Sequence, residues 1–257
     1  MGSTTLPGVL TTVFAFTVRY RRLILAIALV LAVVLAVGRR LSTWLDLTLL
    51  IATFLAGVLA LSLALLALRR PRPAALLVKP EARAFAAKPS AFQISMAVGL
   101  TFLASLFLGT GHLAGVGLLN VVPFLLLVAV GLHLAAGWRG VSVELRPDGV
   151  RQHDFAGTLM VPWGALAPGR PSRPAVNASA LALTYTQPDL VRRRGILVLG
   201  RRLLRIDNVH PWFIADTIRH YVDHPQRRAA IGEPAEYQRL WHALTSPPTG
   251  PDQGHAS

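Results

Sequence analysis

The sequence predicts a four-helix membrane domain followed by a small β-barrel or sandwich capped by a helix. Three observations carry this prediction: four apolar runs before residue 139, a lopsided placement of basic residues around them, and a switch to two-residue alternation at Val141. With 53% hydrophobic and 15% charged residues and a mean hydropathy of +0.50, the chain is too apolar for an average soluble domain. Its 26 Lys+Arg against 12 Asp+Glu are almost all arginine, Lys79 and Lys88 being the only lysines. The absence of cysteine excludes disulfides, thiolate metal sites and thiol nucleophiles.

Residues 1–22 read as a cytoplasmic or interfacial segment, because the apolar stretch 9–18 is too short to span a bilayer alone. The first span is predicted over 23–38, roughly 24 Å of helix that the flanking arginines extend by snorkelling. The second covers 44–68, with Asp46 near its entrance as a candidate intramembrane polar position, where a headgroup-level or helix N-terminal charge is the simpler role and a proton relay the sharper one. Arg69, Arg70, Pro71, Arg72 and Pro73 end it, and residues 69–88 read as a basic loop. The third and fourth spans, 91–109 and 115–138, are joined by the hairpin GTGHLAG. Asn120 and Pro123 fall in the fourth as candidate intramembrane polar positions, where helix packing is the simpler role and a substrate or ion site the sharper one. Basic residues gather at 19–22, in the 69–88 loop and from Arg139 onward, against only Arg39 and Arg40 on the other side, so the positive-inside rule predicts cytoplasmic termini.

Beyond Arg139 and Gly140, VSVEL and VRQHDF alternate around an RPDG turn, and TLMVPW ends a third strand at Pro162. LALTYT continues the pattern, and residues 195–208 read as a hairpin turning at Gly200 and Arg201. A helix follows from Pro211, placing Phe213, Ile214, Ile218, Tyr221 and Val222 on one face, and Pro225 stops it. Residues 139–224 therefore form the predicted cytoplasmic domain, and 225–257 a C-terminal helix with a disordered tail.

The D-G turn at Asp148 and Gly149, the V-P-W-x-x-L segment Val161 to Leu166, the single capping helix and HYVDHPQRRAAIG (His220 to Gly232) resemble bacterial pleckstrin-homology-like (PH-like) domains of actinobacterial membrane proteins. The resemblance covers residues 141 to about 232. It implies a binding and assembly fold in the plasma membrane, without general catalytic residues. Members commonly carry two spans before the domain, and four is a departure.

No nucleotide loop, nucleophile elbow or acid–base carboxylate pair is present in the sequence, so no enzyme activity and no cofactor are expected. His220 and His224 have metal-ligand spacing, but Tyr221 stands where a zinc protease needs Glu, and capping of the helix end is the preferred role. Arg139, Arg192, Arg193, Arg194, Arg201, Arg202 and Arg205 are the candidate residues for lipid or partner binding, each basic group near an anionic leaflet contributing about 1 kcal/mol. The expected partners are anionic membrane lipid and a protein, including a second copy of the chain in a homo-oligomer. Nucleic acid is not expected, since no recognition helix is present. The functional expectation is a scaffold or regulatory module of a membrane assembly, the alternative being a small transporter or channel subunit.

Overall fold

In the N-terminal helical region many large apolar side chains are exposed and many of the buried positions are alanine, as seen in a computed structural model that describes residues 6–41, 43–69, 71–109, 121–154, 156–196 and 200–245. Helix α1 (Leu6–Arg19) continues almost directly into α2 (Arg21–Leu41), with Tyr20 N–H donating to Phe16 O and Ile24 N–H donating to Tyr20 O. Then come α3 (Thr43–Arg69), α4 (Ala91–Gly109) and α5 (Val121–Arg139). Two helices are long and apolar enough to cross a membrane, Arg21–Arg39 and Asp46–Arg69; Ala91–Phe107 and Pro123–Arg139 are shorter apolar helices. The four expected spans are thus two long and two shorter helices. Asn120 lies outside the described residues.

Helical periodicity explains how these helices pack. On α2 the buried positions Leu25, Ala28, Ala32, Ala36 and Arg39 recur every three or four residues, while Leu23, Ile27, Val30, Val33, Val34 and Val37 are exposed. On α3 the buried stripe is Thr53, Gly57, Ala60 and Ala64. Both stripes face α4, which is central and packs against α1, α2, α3 and α5. At the α3–α4 crossing, a methyl group on Gly99 would meet Leu61 at 2.8 Å, and one on Gly57 would meet Leu103 at 3.1 Å, so small residues set the helix separation. Hydroxyls in this seam are satisfied within their own helices, Thr101 donating to Ala97 O and Ser105 to Phe102 O.

The segment between α3 and α4 corrects the basic-loop expectation. It contains β1 (Leu77–Lys79) and β2 (Ala84–Ala86), which pair antiparallel, and β2 then pairs with β3 (Ser142–Arg146) in the register Phe85↔Leu145 and Ala86↔Glu144. With β4 (Gly149–His153), β5 (Ala156–Pro162) and β7 (Arg192–Ile196) they make a six-stranded antiparallel sheet of order β1-β2-β3-β4-β5-β7, which does not close. Strands β6 (Ala180–Ala182) and β8 (Leu203–Arg205) form a separate pair. The expected hairpin over 195–208 is therefore replaced by two strands in different sheets. Local alternation matches either arrangement, and partner choice is made by the core that both sheets share. Buried Gln152 links them, its Oε1 accepting from the Arg205 backbone N–H at 3.0 Å.

That core is not confined to residues 139–224. It joins Leu145, Val150, Leu159 and Val161 of the larger sheet to Leu181 and Leu204 of the smaller one, under Ile214, Ile218 and Tyr221 of α6 (Pro211–Asp223). Leu76, Phe85 and Ala87 enter from the α3–α4 segment, and Ile231 and Leu240 from the region of α7 (Pro234–Thr245). Helix α6 begins at Pro211, where the missing N–H costs nothing, and Pro225 follows its end. Trp163 is core packing, its Nε1 donating to Arg146 O and its ring 5.8 Å from that of Tyr221. Gly232 has φ +101, and a side chain there would strike the backbone of Arg83, so the β1–β2 turn rests directly on the α6–α7 connection.

Phe85 is fully buried and 5.4 Å from the Tyr237 ring. Phe85→Ala is expected to lower unfolding stability by about 3–5 kcal/mol, the usual cost of an aromatic cavity, measured by denaturant titration of the detergent-solubilised full chain. A loss under about 1 kcal/mol would show that the β1–β2 segment is not part of this core.

Candidate binding surface at the helix–sheet junction

The chain passes from α5 into β3 through Gly140 and Val141. Gly140 N–H bonds Ala136 O at 2.7 Å and takes φ +78, ending α5 in the left-handed conformation that glycine adopts freely. A side chain there would collide with the Arg21 guanidinium. The cationic ends of α2 and α5 are thereby held beside the first residues of β3.

Alternation along β3 and β4 sends Val143, Leu145 and Val150 inward, leaving Ser142, Glu144, Arg146, Arg151 and His153 on the outer face. Cross-strand register extends this face in two rows. One runs Ala86, Glu144, Arg151, Met160, Arg192; the next runs Ser142, His153, Thr158, Arg194. The second row adjoins the helix ends. Arg139 lines a recess of about 320 Å³ with His153, Asp154, Thr158 and Arg194, and another of about 270 Å³ with Arg21, Lys79, Ser142, Glu144 and His153.

Glu144 collects the charge in the middle of this face. Its Oε1 is 2.8 Å from Lys79 Nζ, and its Oε2 is 3.4 Å from Arg146 Nε and 4.0 Å from His153 Nε2. Burial works to raise its pKa, but the Lys79 hydrogen bond and charge, with His153 and Arg146, more than offset this and hold the carboxyl below its ordinary range. Burial lowers the His153 pKa, and repulsion from Arg151, Arg146 and Lys79 adds to the effect against the opposing pull of Glu144. One carboxylate thus stands among Lys79, Arg146, Arg151, Arg192 and Arg194, and the surface carries a net positive field suited to an anionic partner.

The arginines singled out in the sequence do not all converge here. Arg139, Arg192 and Arg194 do. Arg193 lies on the opposite side of β7, an exposed edge strand, with its Nε donating to Gly195 O at 3.3 Å. Arg201 and Arg202 are exposed in the turn before β8, and their carbonyls accept from the Tyr185 hydroxyl and the Leu183 N–H. Arg205 is half-buried and held by Asp207 and by Asp154, 3.9 Å away. Lys79, Arg146, Arg151 and Arg21 belong to the surface but were missed. The polar positions of the two alternating strands carried the signal for Arg146 and Arg151, whereas Lys79 sat in a segment read as loop.

Two of the three candidate intramembrane groups, Asp46 and Pro123, lie among the described residues. Asp46 lies in the first turn of α3 and accepts from Arg39 Nε at 2.8 Å, while Arg39 Nη1 reaches Leu106 O at 3.4 Å. This ties the far ends of α2, α3 and α4 together. Pro123 is buried in the first described turn of α5. His220 and His224 stack at 4.6 Å, with His224 Nδ1 bonded to His220 O, and among the described residues no group of three or more His, Asp or Glu is placed to hold a metal. Burial, with the charges of His224 and Arg227 outweighing Asp223, pushes His220 down to about 4, and its buried Nε2 has no hydrogen-bond partner.

In comparisons with known proteins, no family model matches the chain, and no curated protein or solved structure is significantly similar to it.

Both His153 and His220 bind protons less tightly in the fold than in the unfolded chain. Acidification from about 6.5, the ordinary histidine pKa, therefore lets the unfolded state take up protons first, and stability falls toward pH 4. The unfolding temperature of the solubilised protein should drop between pH 7.5 and 5, and the drop should be smaller in a His153→Gln/His220→Gln variant. Equal drops would remove these two groups from the account.

Proposed function

We propose that the chain is a multi-pass protein of the bacterial plasma membrane with both termini cytoplasmic. Its PH-like domain, in this reading, is a non-catalytic module that binds anionic lipid headgroups or an acidic partner and so scaffolds or regulates a membrane assembly. The membrane part rests on the inverted packing of α2 and α3. Only 17% of each apolar window is buried, whereas the core helix of a soluble protein is buried for most of its length. Large apolar side chains turned outward and small ones turned inward suit a lipid surround. The ends of α1, α2, α3 and α5 nearest the sheet carry Arg19, Arg21, Arg22, Arg69 and Arg139, which agrees with a cytoplasmic sheet domain.

The single observation that carries the binding role is the cationic outer sheet face, set directly beside the helix ends with Glu144 as its lone carboxylate among the rows described. A PH-like assignment is favoured by the order of strands after residue 141, the antiparallel sheets and the α6 cap. The transporter alternative draws less support. Asp46 is neutralised by Arg39, and the α3–α4 seam is packed by glycine and alanine.

Charge reversal at Arg192→Glu/Arg194→Glu tests the binding role without touching the core. Gently solubilised wild-type protein should retain acidic phospholipid or an acidic protein at low salt and release it at high salt, as expected for a surface contact. The variant should retain markedly less of it. Wild-type protein recovered bare at low salt would contradict the proposal.

A further inference from the structure

A third cavity, which shares Leu77 and Pro89 with the 270 Å³ recess, opens where α1, the end of α3 and the start of α4 meet the loop before α6. It measures about 520 Å³, within the range of small-molecule sites. Phe14, Ala67 and Phe92 contribute an apolar wall, and Arg19, Arg72 and Lys88 contribute cations. The cations are arranged differently from those of the sheet face. Arg72 Nη1 is held by the Ala178 carbonyl, which fixes the guanidinium, and Arg19 lies 5.6 Å from the Tyr20 ring centroid. Among the described residues, none of Arg19, Arg72 and Lys88 is ion-paired to a carboxylate. The one carboxylate on the wall, Asp207, is engaged by Arg205.

We infer that this cavity is a binding site for a single anionic phospholipid. The geometry divides the ligand in two: phosphate on Arg19, Arg72 and Lys88, and the glycerol and first chain carbons against Phe14, Ala67 and Phe92. Ala67 lies two residues before Arg69, the last residue of α3, and Phe92 is the second residue of α4. If those helices cross a bilayer, the cavity sits at the depth where headgroup gives way to acyl chain. A soluble phosphate would use only the cationic half and leave the apolar wall wet. The occupant that satisfies both halves is the lipid.

This inference rests on the proposed membrane insertion but not on the sheet face, and one experiment separates the three. The full chain is reconstituted into vesicles of phosphatidylglycerol and phosphatidylcholine, floated, extracted gently at high salt, which releases lipid held on the exposed sheet face, and its retained lipid identified by native mass spectrometry. The wild type should float and retain phosphatidylglycerol in preference to phosphatidylcholine, and added inorganic phosphate should not displace it. Arg72→Gln/Lys88→Gln should retain about 30-fold less, from two cations at the membrane surface. Lys88→Gln alone, at an exposed side chain, should show a partial loss without any effect on folding, and Arg192→Gln/Arg194→Gln should leave this one lipid in place. Floated wild type that retains both lipids equally, release by phosphate, or unchanged retention in Arg72→Gln/Lys88→Gln each overturns the cavity assignment alone. Failure to float overturns it together with membrane insertion.

Discussion

Strand β2 leaves the helical region, pairs with β3 across Phe85↔Leu145 and Ala86↔Glu144, and returns to the helices within five residues. Much of the structure depends on this short pairing. It places Phe85 and Ala87 in the core of the sheet domain and Lys79 against Glu144 on the outer face. It also ties that domain to the helices at three points of chain: α3 into β1, β2 into α4, and α5 into β3. A domain joined only through Arg139 and Gly140 could swing about one glycine. With the α3–α4 segment built into its sheet and core, it is held in one orientation on the helix ends.

That clamp produces the sites. The recesses around Arg139 exist because the outer face of β3 and β4 is pressed beside the ends of α2 and α5, and the larger cavity exists because α1 and residues 71–73 meet the loop before α6. Hydrogen bonds reinforce the seam: His210 N–H to Pro73 O, Leu76 N–H to the Tyr237 hydroxyl, and Asn208 Nδ2 to Val141 O. Each bond joins segments distant in sequence, so the surfaces are products of tertiary closure and not of any one element. Charge follows the same geometry. The carboxylate on the outer face of strands β3 and β4, Glu144, is drawn into an ion-pair network, leaving the surrounding arginines to set the field.

Much of this was legible in the sequence. The apolar runs marked α2 to α5, the two-residue alternation marked β3, β4 and β5, and Pro211 marked the start of α6, whereas α1 fell in a stretch read only as interfacial. The inward set of α6, from Phe213 to Tyr221, follows directly from helical periodicity. What escaped had physical causes. Strands β1 and β2 are three residues each, too short to show alternation, and they are bounded by prolines and charges that read as loop. The stretch 195–208 alternates as a hairpin would, yet its strands take separate partners because β5 and β6 offer complementary edges at a distance that local pattern cannot encode. For the candidate surface, Arg139, Arg192 and Arg194 were legible as cations that follow the last apolar run. Their company, Lys79 and Arg151 around Glu144, required the register.

The central claim is the β2–β3 pairing, and the absence of cysteine allows a clean cross-linking measurement. Ala86→Cys and Glu144→Cys occupy facing positions in adjacent strands, within the Cα separation that a disulfide tolerates. Leu77→Cys and Glu144→Cys are one strand further apart, at about 9–10 Å, and serve as the control. Mild oxidation of the full chain, followed by proteolysis and mass spectrometry, should join the first pair in high yield and the second hardly at all. Absence of the 86–144 cross-link, or equal yields for both pairs, would mean that the α3–α4 segment is not a strand of this sheet.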